Sequence, residues 1–462
     1  MKKLRAIFLL AIMICGVLFV SSLHFSTAQA YTPVNGQITS DTTWTKADSP
    51  YTLTGFVQVR SGVTLTIQPG VTVNLGTSNI EVNGTLVAVG TDTDQILING
   101  TYKPRAPVAF SENTNPFIMF MSGSNGLNEQ TGSGSIIKNA KVMSTTLWVT
   151  NSSPRISDNS FSGYMAFESI RLQGGASSIY SNSFTDGTIT VSAGSPTIYG
   201  NTLTNNGYGT AISVTGGNPV IVSNGLSQFY GGISCAGSPD SIISDNSVSN
   251  CYTAITVDGA GTIVERNVVS DNQVGISAGN AIVRHNTIKN NDVGAYLTSA
   301  TTFNYNNLEN NKNNTLCTGS NDVNATYNWW GTTDQSAISN SIYDNKNDFN
   351  LGKINFIPFL TAPDPQAMPN ENVPIPTPNT APSPSPGNGT YWITDQYGNT
   401  IEVTPNPSTS PTQNPTATPQ QSTTQSGTLF GLDSDKIIII MLGIIIALLI
   451  VVIAVMRRRS AK

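Results

Sequence analysis

Apolar residues recur at fixed distances from a repeating asparagine through the middle of the chain. Each repeat has one apolar residue three positions before the asparagine and another two positions after it. The asparagines follow one another at steps of 19 to 23 residues, at Asn159, Asn182, Asn201, Asn224, Asn246, Asn267, Asn286, Asn306 and Asn328. Short β-rich runs separated by Asn, Gly, Ser and Asp predict strands joined by turns, with room for about three strands in each repeat.

The two apolar positions define two columns. The column before the asparagine consists of Ile156, Ile179, Ile198, Ile221, Ile243, Val264, Val283, Phe303 and Ala325. The column after it consists of Phe161, Phe184, Leu203, Leu226, Val248, Val269, Ile288, Leu308 and Trp330. Because one repeat alone buries no core, the pattern predicts a solenoid, in which equivalent strands of successive coils pair about 4.8 Å apart.

We interpret the repeating asparagine as structural rather than ligand-binding. Asparagine tolerates a left-handed backbone, and its amide is able to donate to the carbonyl of the asparagine on the next coil. A second polar run follows four or five residues later and marks the next turn, with Asn205, Asn250, Asp271, Asn272, Asn290, Asn291, Asn310 and Asn311.

One apolar column has two interpretations. Val220, Ile242, Ile263 and Ile282 stand four positions before the asparagine, next to the column at minus three. Strict alternation along a strand cannot bury both columns. Either a bend lies between them, or these four side chains form an exposed apolar stripe suited to an interface.

The two ends of the chain predict a secreted and anchored protein. Residues 1–30 have a basic start, an apolar stretch and Ala-Gln-Ala before Tyr31, which is typical of a signal peptide. Residues 437–456 are an apolar run followed by three arginines, so they predict one transmembrane helix with a cytoplasmic tail at 457–462. The expected location is a cell membrane, crossed once, with the large domain outside.

Three further segments lie between these ends. Residues 31–125 are predicted to form the N-terminal cap and first coils, and residues 126–360 the repeats and the terminal coil. Residues 361–434 are rich in Pro, Thr and Ser and predict an extended stalk. Within the stalk, residues 390–403 have two β-rich runs that predict a small hairpin.

Composition and charge limit the classes of binding partner that are expected. Charged residues make up 11% of the chain, and between residues 31 and 430 there are 25 acidic against 14 basic side chains. This negative balance argues against nucleic acid. It leaves polysaccharides and other cell-surface proteins as expected partners, besides the membrane.

Three cysteines follow the signal peptide. Cys235 and Cys317 share a phase with Val257, so both are expected to pack inward as small apolar groups. Cys251 lies in another phase. The sequence leaves a Cys235–Cys251 disulfide open.

Residues 44–91 and the later repeats carry a family resemblance. Residues 65–71 (LTIQPGV) and 84–86 (GTL) resemble the opening coils of right-handed parallel β-helix proteins of the pectate-lyase-like superfamily. The later repeats and residues 327–331 (YNWWG) resemble the repeats and terminal coil of its NosD-like branch and their cell-surface relatives. The resemblance covers residues 40 to 360 and implies an all-β, right-handed parallel β-helix. It implies little about activity, because this superfamily contains lyases, hydrolases, epimerases, adhesins and structural proteins.

The catalytic motifs of the enzymes in that superfamily are absent from the sequence. Glycoside hydrolysis requires clustered carboxylates, one to protonate the leaving oxygen and one to activate water or attack. The polygalacturonases carry an Asp-Asp pair, a Gly-His-Gly and an Arg-x-Lys, and the pectate lyases an Arg-x-Pro-x-x-Arg. None of these four motifs occurs in this chain.

One polar patch has a structural and a functional interpretation. The histidine at 285 precedes a repeat asparagine, and Glu265 falls opposite Arg284 on the next coil. The structural interpretation is a polar turn face with a Glu265–Arg284 ion pair. The functional one is a catalytic or ligand-binding patch formed by Glu265, Arg266, Arg284, His285 and Tyr305.

Tyrosines also repeat in phase. Tyr180 and Tyr199 occupy the same position on adjacent coils, and Tyr208, Tyr230 and Tyr252 fall near a later turn. Aromatic rings about 5 Å apart along a ladder either stack on sugar faces or stabilise the strands that carry them.

No cofactor is predicted. A lone histidine offers no zinc or redox-metal constellation. Asp92, Asp94, Asp258 and Asp271 are candidate oxygen ligands for Ca²⁺, but the sequence has neither an EF-hand nor a glycine-aspartate nonapeptide repeat.

The sequence therefore favours a non-catalytic module for adhesion, carbohydrate binding or envelope architecture on a prokaryotic surface. A span that ends in three arginines without a sortase motif suits an archaeal one. The alternative is a polysaccharide lyase, glycoside hydrolase or epimerase whose acids come from a loop. Residues 101–135, with Glu112 and Glu129, are the candidate loop.

Overall fold

The computed structural model describes residues 31–101, 116–238, 240–298, 301–369, 391–394 and 400–403. The predicted signal peptide and the predicted membrane span at 437–456 lie outside these residues. Within the described ranges no helix is long and apolar enough to cross a membrane.

The described residues between 31 and 369 form a solenoid, whose coils contribute parallel strands to three faces. The first face is a 14-stranded sheet with one strand from each coil. Its strands are Thr42–Trp44, Thr64–Ile67, Thr85–Val89, Ile136–Lys138, Arg155–Ser157, Ser178–Tyr180, Thr197–Tyr199, Val220–Val222, Ile242–Ser244, Ile263–Glu265, Ile282–Arg284, Thr302–Asn304, Val323–Asn324 and Ile354–Asn355.

The second and third faces belong to one 23-stranded sheet, because four long strands run around the corner between them. These four are Thr32–Ile38, Tyr51–Val59, Ser160–Gln173 and Ser183–Ala193. The other strands of the second face are Thr72–Gly76, Ile96–Gly100, Ala140–Met143, Thr202–Thr204, Gly225–Ser227, Ser247–Ser249, Val268–Ser270, Thr287–Lys289 and Asn307–Glu309. Those of the third face are Ile80–Val82, Phe117–Phe120, Thr146–Thr150, Thr210–Val214, Gly231–Ala236, Thr253–Asp258, Val274–Gly279, Val293–Leu297, Asn313–Cys317 and Ile342–Tyr343.

Both predicted apolar columns form the core. On the first face Ile156 pairs with Ile179, which pairs with Ile198, and all three are 0% exposed. On the second face Phe161 pairs with Phe184, and their rings stack with centroids 4.6 Å apart. The repeat thus places like residues directly above one another, which aligns every coil in the same register.

The repeating asparagines form a buried ladder at the corner between the first and second faces. The side-chain amide of Asn267 donates to Asn286 Oδ1 at 2.9 Å and to the backbone carbonyl of Ile243 at 2.9 Å. Asn267 Oδ1 in turn accepts from the backbone and side-chain nitrogens of Asn246, at 2.9 and 3.0 Å. These bonds replace the strand pairing that the corner interrupts.

The left-handed residue of this corner is not the asparagine, as the sequence suggested, but the residue before it. Arg266, His285, Tyr305 and Tyr327 have φ between 54° and 57°. The physical reason is that the left-handed residue makes the bend, so that the asparagine side chain points inward to the ladder. Any side chain at this bending position faces outward.

The apolar column that had two interpretations lies on the outer side of the first face. Val220, Ile242, Ile263 and Ile282 pair in register on the first face. Ile242 is 37% exposed and the other three are half-buried, whereas the residue after each is buried. The side chains of this column therefore point away from the core, as in the second of the two interpretations, and they form a partly exposed stripe.

Each end of the solenoid has its own cover. At the first coil Trp44 stacks on Tyr51 at 4.9 Å, next to a 3₁₀ turn at Lys46–Asp48. At the last coil helix α1 (Gln335–Asn340) begins at Asp334, whose side chain accepts from the backbone nitrogens of Ser336 and Ala337.

The two adjacent tryptophans of the terminal coil lie in different environments, one in the core and one near the surface. Trp330 is 3% exposed and packs edge-on against Phe356. Trp329 is half-buried and donates from Nε1 to Glu309 Oε1 at 3.2 Å. Only Trp330 therefore fills the core.

The three cysteines are free and buried. Cys235 and Cys317 lie in the inward column with Val257, as predicted. Cys251 is also a free thiol, so the Cys235–Cys251 disulfide does not form in this structure.

The predicted hairpin is present as a unit of its own. Tyr391–Thr394 and Thr400–Val403 pair in antiparallel register. They belong to a compact unit distinct from the one that spans Tyr31–Ser383.

Candidate binding surface

The structure brings together all five residues of the predicted patch. The strands Ile263–Glu265 and Ile282–Arg284 pair in register, which places Glu265 beside Arg284. Arg284 Nε donates to Glu265 Oε2 at 3.0 Å. Arg266 and His285 follow at the left-handed turn and point outward beside this pair.

Arg266 is held by two carboxylates. Its Nε and Nη2 donate to the two oxygens of Asp245 at 3.0 and 3.1 Å, and its Nη1 donates to Glu265 Oε1 at 2.6 Å. The hydrogen bonds that the guanidinium donates to Asp245 raise the pKa of Arg266 despite partial burial. Both oxygens of Glu265 are thus engaged by arginines, which leaves this carboxylate poorly placed for proton transfer.

His285 contacts a segment that the sequence assigned to the stalk. His285 Nδ1 and Asp364 Oδ2 are 2.7 Å apart. The imidazole stacks on Tyr305 at 5.4 Å, and Tyr305 stacks on Tyr327 at 5.6 Å. The patch therefore consists of paired and stacked side chains, the arrangement that its structural interpretation describes.

Residues 361–369, here called the C-terminal strap, pack against the last coils. Asp364 N donates to Asn307 Oδ1 at 2.7 Å, and Asn307 Nδ2 donates back to the carbonyl of Asp364 at 3.0 Å. Thr287 Oγ1 donates to the carbonyl of Ala367, whose side chain is 0% exposed. The first nine residues of the predicted stalk are thus part of the packed domain.

A second charged cluster, which the sequence did not predict, lies on the third face. The Arg171 guanidinium lies 4.6 Å above the Trp148 ring and pairs with Glu168. Trp148 Nε1 donates to Gln173 Oε1 at 2.8 Å. The signal in the sequence was the equal position of Trp148 and Arg171 on adjacent coils.

An open cleft of about 640 Å³ lies at the corner between the second and third faces. Tyr230 and Tyr252 stand on one side of it, with ring centroids 4.8 Å apart and an interplanar angle of 7°. Their side chains are 58% and 45% exposed. Tyr180 and Tyr199 stack equally closely at 4.7 Å, but they are half-buried and lie on the first face.

Two residues from later coils continue the tyrosine column. Thr253 N donates to the carbonyl of Tyr230, Val274 N to that of Tyr252, and Val293 N to that of Gln273. Tyr230, Tyr252, Gln273 and Asp292 are therefore equivalent positions on successive coils, and all four line the cleft.

The opposite side of the cleft comes from left-handed turn residues. Asn250, Asp271 and Asn290 have φ of 55°, 62° and 57° and point outward. Beneath them runs a second asparagine ladder, in which Asn272 Nδ2 donates to Asn291 Oδ1 at 3.0 Å. This ladder fixes the backbone, so the cleft is built on a rigid floor.

One candidate calcium ligand and one acid of the candidate loop are held in ion pairs. Asp94 pairs with Lys46 at 2.5 Å, and Glu129 pairs with Arg155. Glu112 lies outside the described residues. Among the residues that the structure describes, no three His, Cys, Asp or Glu side chains cluster in a way suited to a metal ion.

The fold defines the class of protein, because three faces of parallel strands, stacked apolar columns and an internal asparagine ladder occur together. The chain is a right-handed parallel β-helix repeat protein. Residues 188–330 match the sequence family described as "Right handed beta helix region". An 80-residue stretch is 36% identical to Protein bark beetle of Drosophila melanogaster, covering 17% of this chain and 3% of that protein. The chain thus spans a small part of that relative.

Proposed function

We propose that this chain is a membrane-anchored, non-catalytic carbohydrate-binding module displayed on the cell surface. The observation that carries the proposal is the exposed, stacked pair Tyr230 and Tyr252 at the edge of an open cleft. Sugar rings offer C–H faces that pack on aromatic rings, and their hydroxyls bond to the amides and carboxylates that line the rest of the cleft.

The rigid scaffold supports a binding role. The backbone under Tyr252 is held by the ladder bond from Cys251 N to Asn272 Oδ1 at 2.8 Å. Because little conformational entropy is lost on binding at a fixed surface, weak stacking contacts translate into affinity efficiently. The full pairing of Glu265 supports a non-catalytic role for the other polar patch.

The ends of the sequence support surface display. A signal peptide at 1–30, a polar stalk and an apolar run at 437–456 before three arginines are features of a protein anchored once with its large domain outside. Adhesion through the bound glycan and a role in envelope architecture both follow from this display. The assignment to the NosD-like branch and to an archaeal surface belongs to the same proposal.

A glycan array probed with residues 31–383, the compact unit, tests the proposal. Binding to at least one saccharide class is expected, with a loss of about tenfold in the double variant Tyr230→Ala/Tyr252→Ala. The matched control is Tyr180→Ala/Tyr199→Ala, which removes an equally close pair on another face. An array without signal, or an equal loss in both double variants, would contradict the proposal.

One observation favours the alternative, a polysaccharide lyase or hydrolase. The Arg171 guanidinium lies over the Trp148 ring on the third face and pairs with Glu168, which places a carboxylate and a cation beside an aromatic surface. Reducing-end release from neutral and acidic polysaccharides, measured with and without Ca²⁺, distinguishes the two. Release that Glu168→Gln abolishes while the fold is retained would establish the enzyme.

A further inference from the structure

We propose that the cleft beside Tyr230 and Tyr252 selects a cationic saccharide, namely a polymer of amino sugars with free, protonated amines. The proposal rests on the proposed carbohydrate-binding function and adds the charge of the ligand. It follows from which side chains line the cleft and from where the aromatic column ends.

The charged residues of the cleft lining have one sign. Asp271 and Asp292 both line the cleft and are solvent-exposed. No lysine, arginine or histidine is among the described residues that line it. Two lysines lie outside the lining: Lys289 precedes Asn290 in the chain, and Lys312 occupies the position of Asp292 on the next coil. A carboxylate on a bound uronic acid would face two like charges here, whereas an ammonium group would face two opposite ones.

The aromatic pair also favours a positively charged ligand. Tyr252 is the last ring of its column, because Gln273 and Asp292 occupy the next two coils. The substituents of a sugar that packs on this ring therefore reach the carboxylates of the following coils. The negative face of a tyrosine ring attracts a cation, and a charge-assisted hydrogen bond to a carboxylate is stronger than a neutral one.

The amide residues fit the uncharged part of such a ligand. Asn290 Nδ2 lies 3.4 Å from Asp271 Oδ1, so amide and carboxylate form one hydrogen-bonding edge. Gln273 is exposed at the base of the cleft. Together they offer donors and acceptors for hydroxyl groups next to the ammonium position.

The test uses the full-length chain in detergent micelles and isothermal titration with three hexasaccharides of equal length. These are the oligomers of glucosamine with free amines, of N-acetylglucosamine and of galacturonic acid. The free-amine oligomer is expected to bind about tenfold more tightly than the acetylated one, and the acidic oligomer more weakly than either. Affinity for the free-amine oligomer is expected to fall with added salt.

Variants assign the preference to this cleft. Asp271→Asn/Asp292→Asn keeps the shape, so it is expected to reduce binding of the free-amine oligomer about tenfold with little effect on the acetylated one. Asp186→Asn is the matched control, since Asp186 is also a left-handed turn residue but bonds to Asn206 on another part of the corner. Thermal melting of each variant verifies that the fold is retained.

The outcomes distinguish the preference for a cationic saccharide from the proposed carbohydrate-binding function. Equal affinity for the free-amine and acetylated oligomers, or no change in the double Asp variant, would overturn the charge preference while carbohydrate binding stands. Preferred binding of the acidic oligomer would also overturn it. Absence of saccharide binding here and on the array would overturn both proposals.

Discussion

Asp364 Oδ2 lies 2.7 Å from His285 Nδ1, although the two residues are 79 positions apart in sequence. The contact joins the segment that leaves the β-helix to a coil well before its end. Because Leu360 N bonds to Asn328 O while Ala367 meets Thr287, the strap runs back over earlier coils as the chain proceeds. Residues 361–369 therefore lie along the flank of the solenoid rather than at its tip.

The first prediction concerns this strap. Asp364→Ala removes the contact to His285 and the bond from Gln366 N to the Asp364 carboxylate at 3.1 Å. Docking of the strap is expected to weaken by about 1–3 kcal/mol. Hydrogen exchange of residues 361–369 measures this, and the expected result is faster exchange there with unchanged exchange in the core strands. Asp92→Ala, at an exposed turn, serves as the control. Unchanged exchange in the strap would show that Asp364 does not hold it.

The second prediction concerns the asparagine ladder. Asn267 is 0% exposed and bonds both to Asn246 and to Asn286. Asn267→Ala removes the side-chain partner of the buried backbone N–H of Asn246 and of the carbonyl of Ile243 on the preceding coil, each at about 1–3 kcal/mol. A marked fall in melting temperature is expected, measured by circular dichroism. Asn35→Ala is the control, since Asn35 makes one exposed hydrogen bond to Thr54. Equal melting of the two variants would mean that strand pairing alone sets the stability of the coils.

The sequence predicted the core because the core is periodic. Ile179 and Ile198 occupy equivalent positions of adjacent repeats, so their pairing follows from counting. The same holds for Glu265 opposite Arg284 and for Tyr180 beside Tyr199. The pairing of equivalent residues on successive coils is therefore accessible to this reasoning.

Of the features that the sequence did not settle, one is aperiodic and two repeat on successive coils but depend on the backbone geometry. Asp364 reaches His285 through a segment without repeats, and its polar composition resembles that of the stalk that follows. The left-handed position was misplaced by one residue, because Asp245, Arg266 and His285 share no residue type that favours positive φ. The outward stripe of Ile242 needed the geometry of the strand to settle its direction.

The third prediction concerns the polar patch. Glu265→Gln/Arg284→Ala breaks a pair in which Arg284 is 43% exposed, so a loss of about 1 kcal/mol or less is expected from that pair. Saccharide binding is expected to stay unchanged, since this patch and the tyrosine cleft lie at different corners. The array and a thermal melt of the double variant measure both effects. Loss of binding with the fold retained would assign function to the patch after all.

The last prediction concerns alkaline pH. Burial raises the pKa of the Cys235 and Cys251 thiols, which are 0% and 4% exposed. A thiol whose pKa is higher in the folded chain releases its proton more readily when unfolded, so it stabilises the fold below the unfolded pKa and less above it. With an unfolded pKa of about 8.5, stability is expected to fall above that pH by up to about 1.4 kcal/mol per pH unit for each thiol. Burial also raises the pKa of Tyr199, and this hydroxyl adds to the loss above about pH 10, the ordinary value for tyrosine.

Urea unfolding at several pH values between 7.5 and 9.5, under reducing conditions, measures the slope in the window that belongs to the thiols. Cys235→Ala/Cys251→Ala is expected to be less stable at pH 7.5, because it leaves small cavities, but to lose less stability across the window. Tyr199→Phe keeps the stacked ring on Tyr180 and is expected to retain the full thiol-dependent slope. If the double cysteine variant shows the same slope as the parent chain, ionisation of other groups governs the alkaline limit of this β-helix.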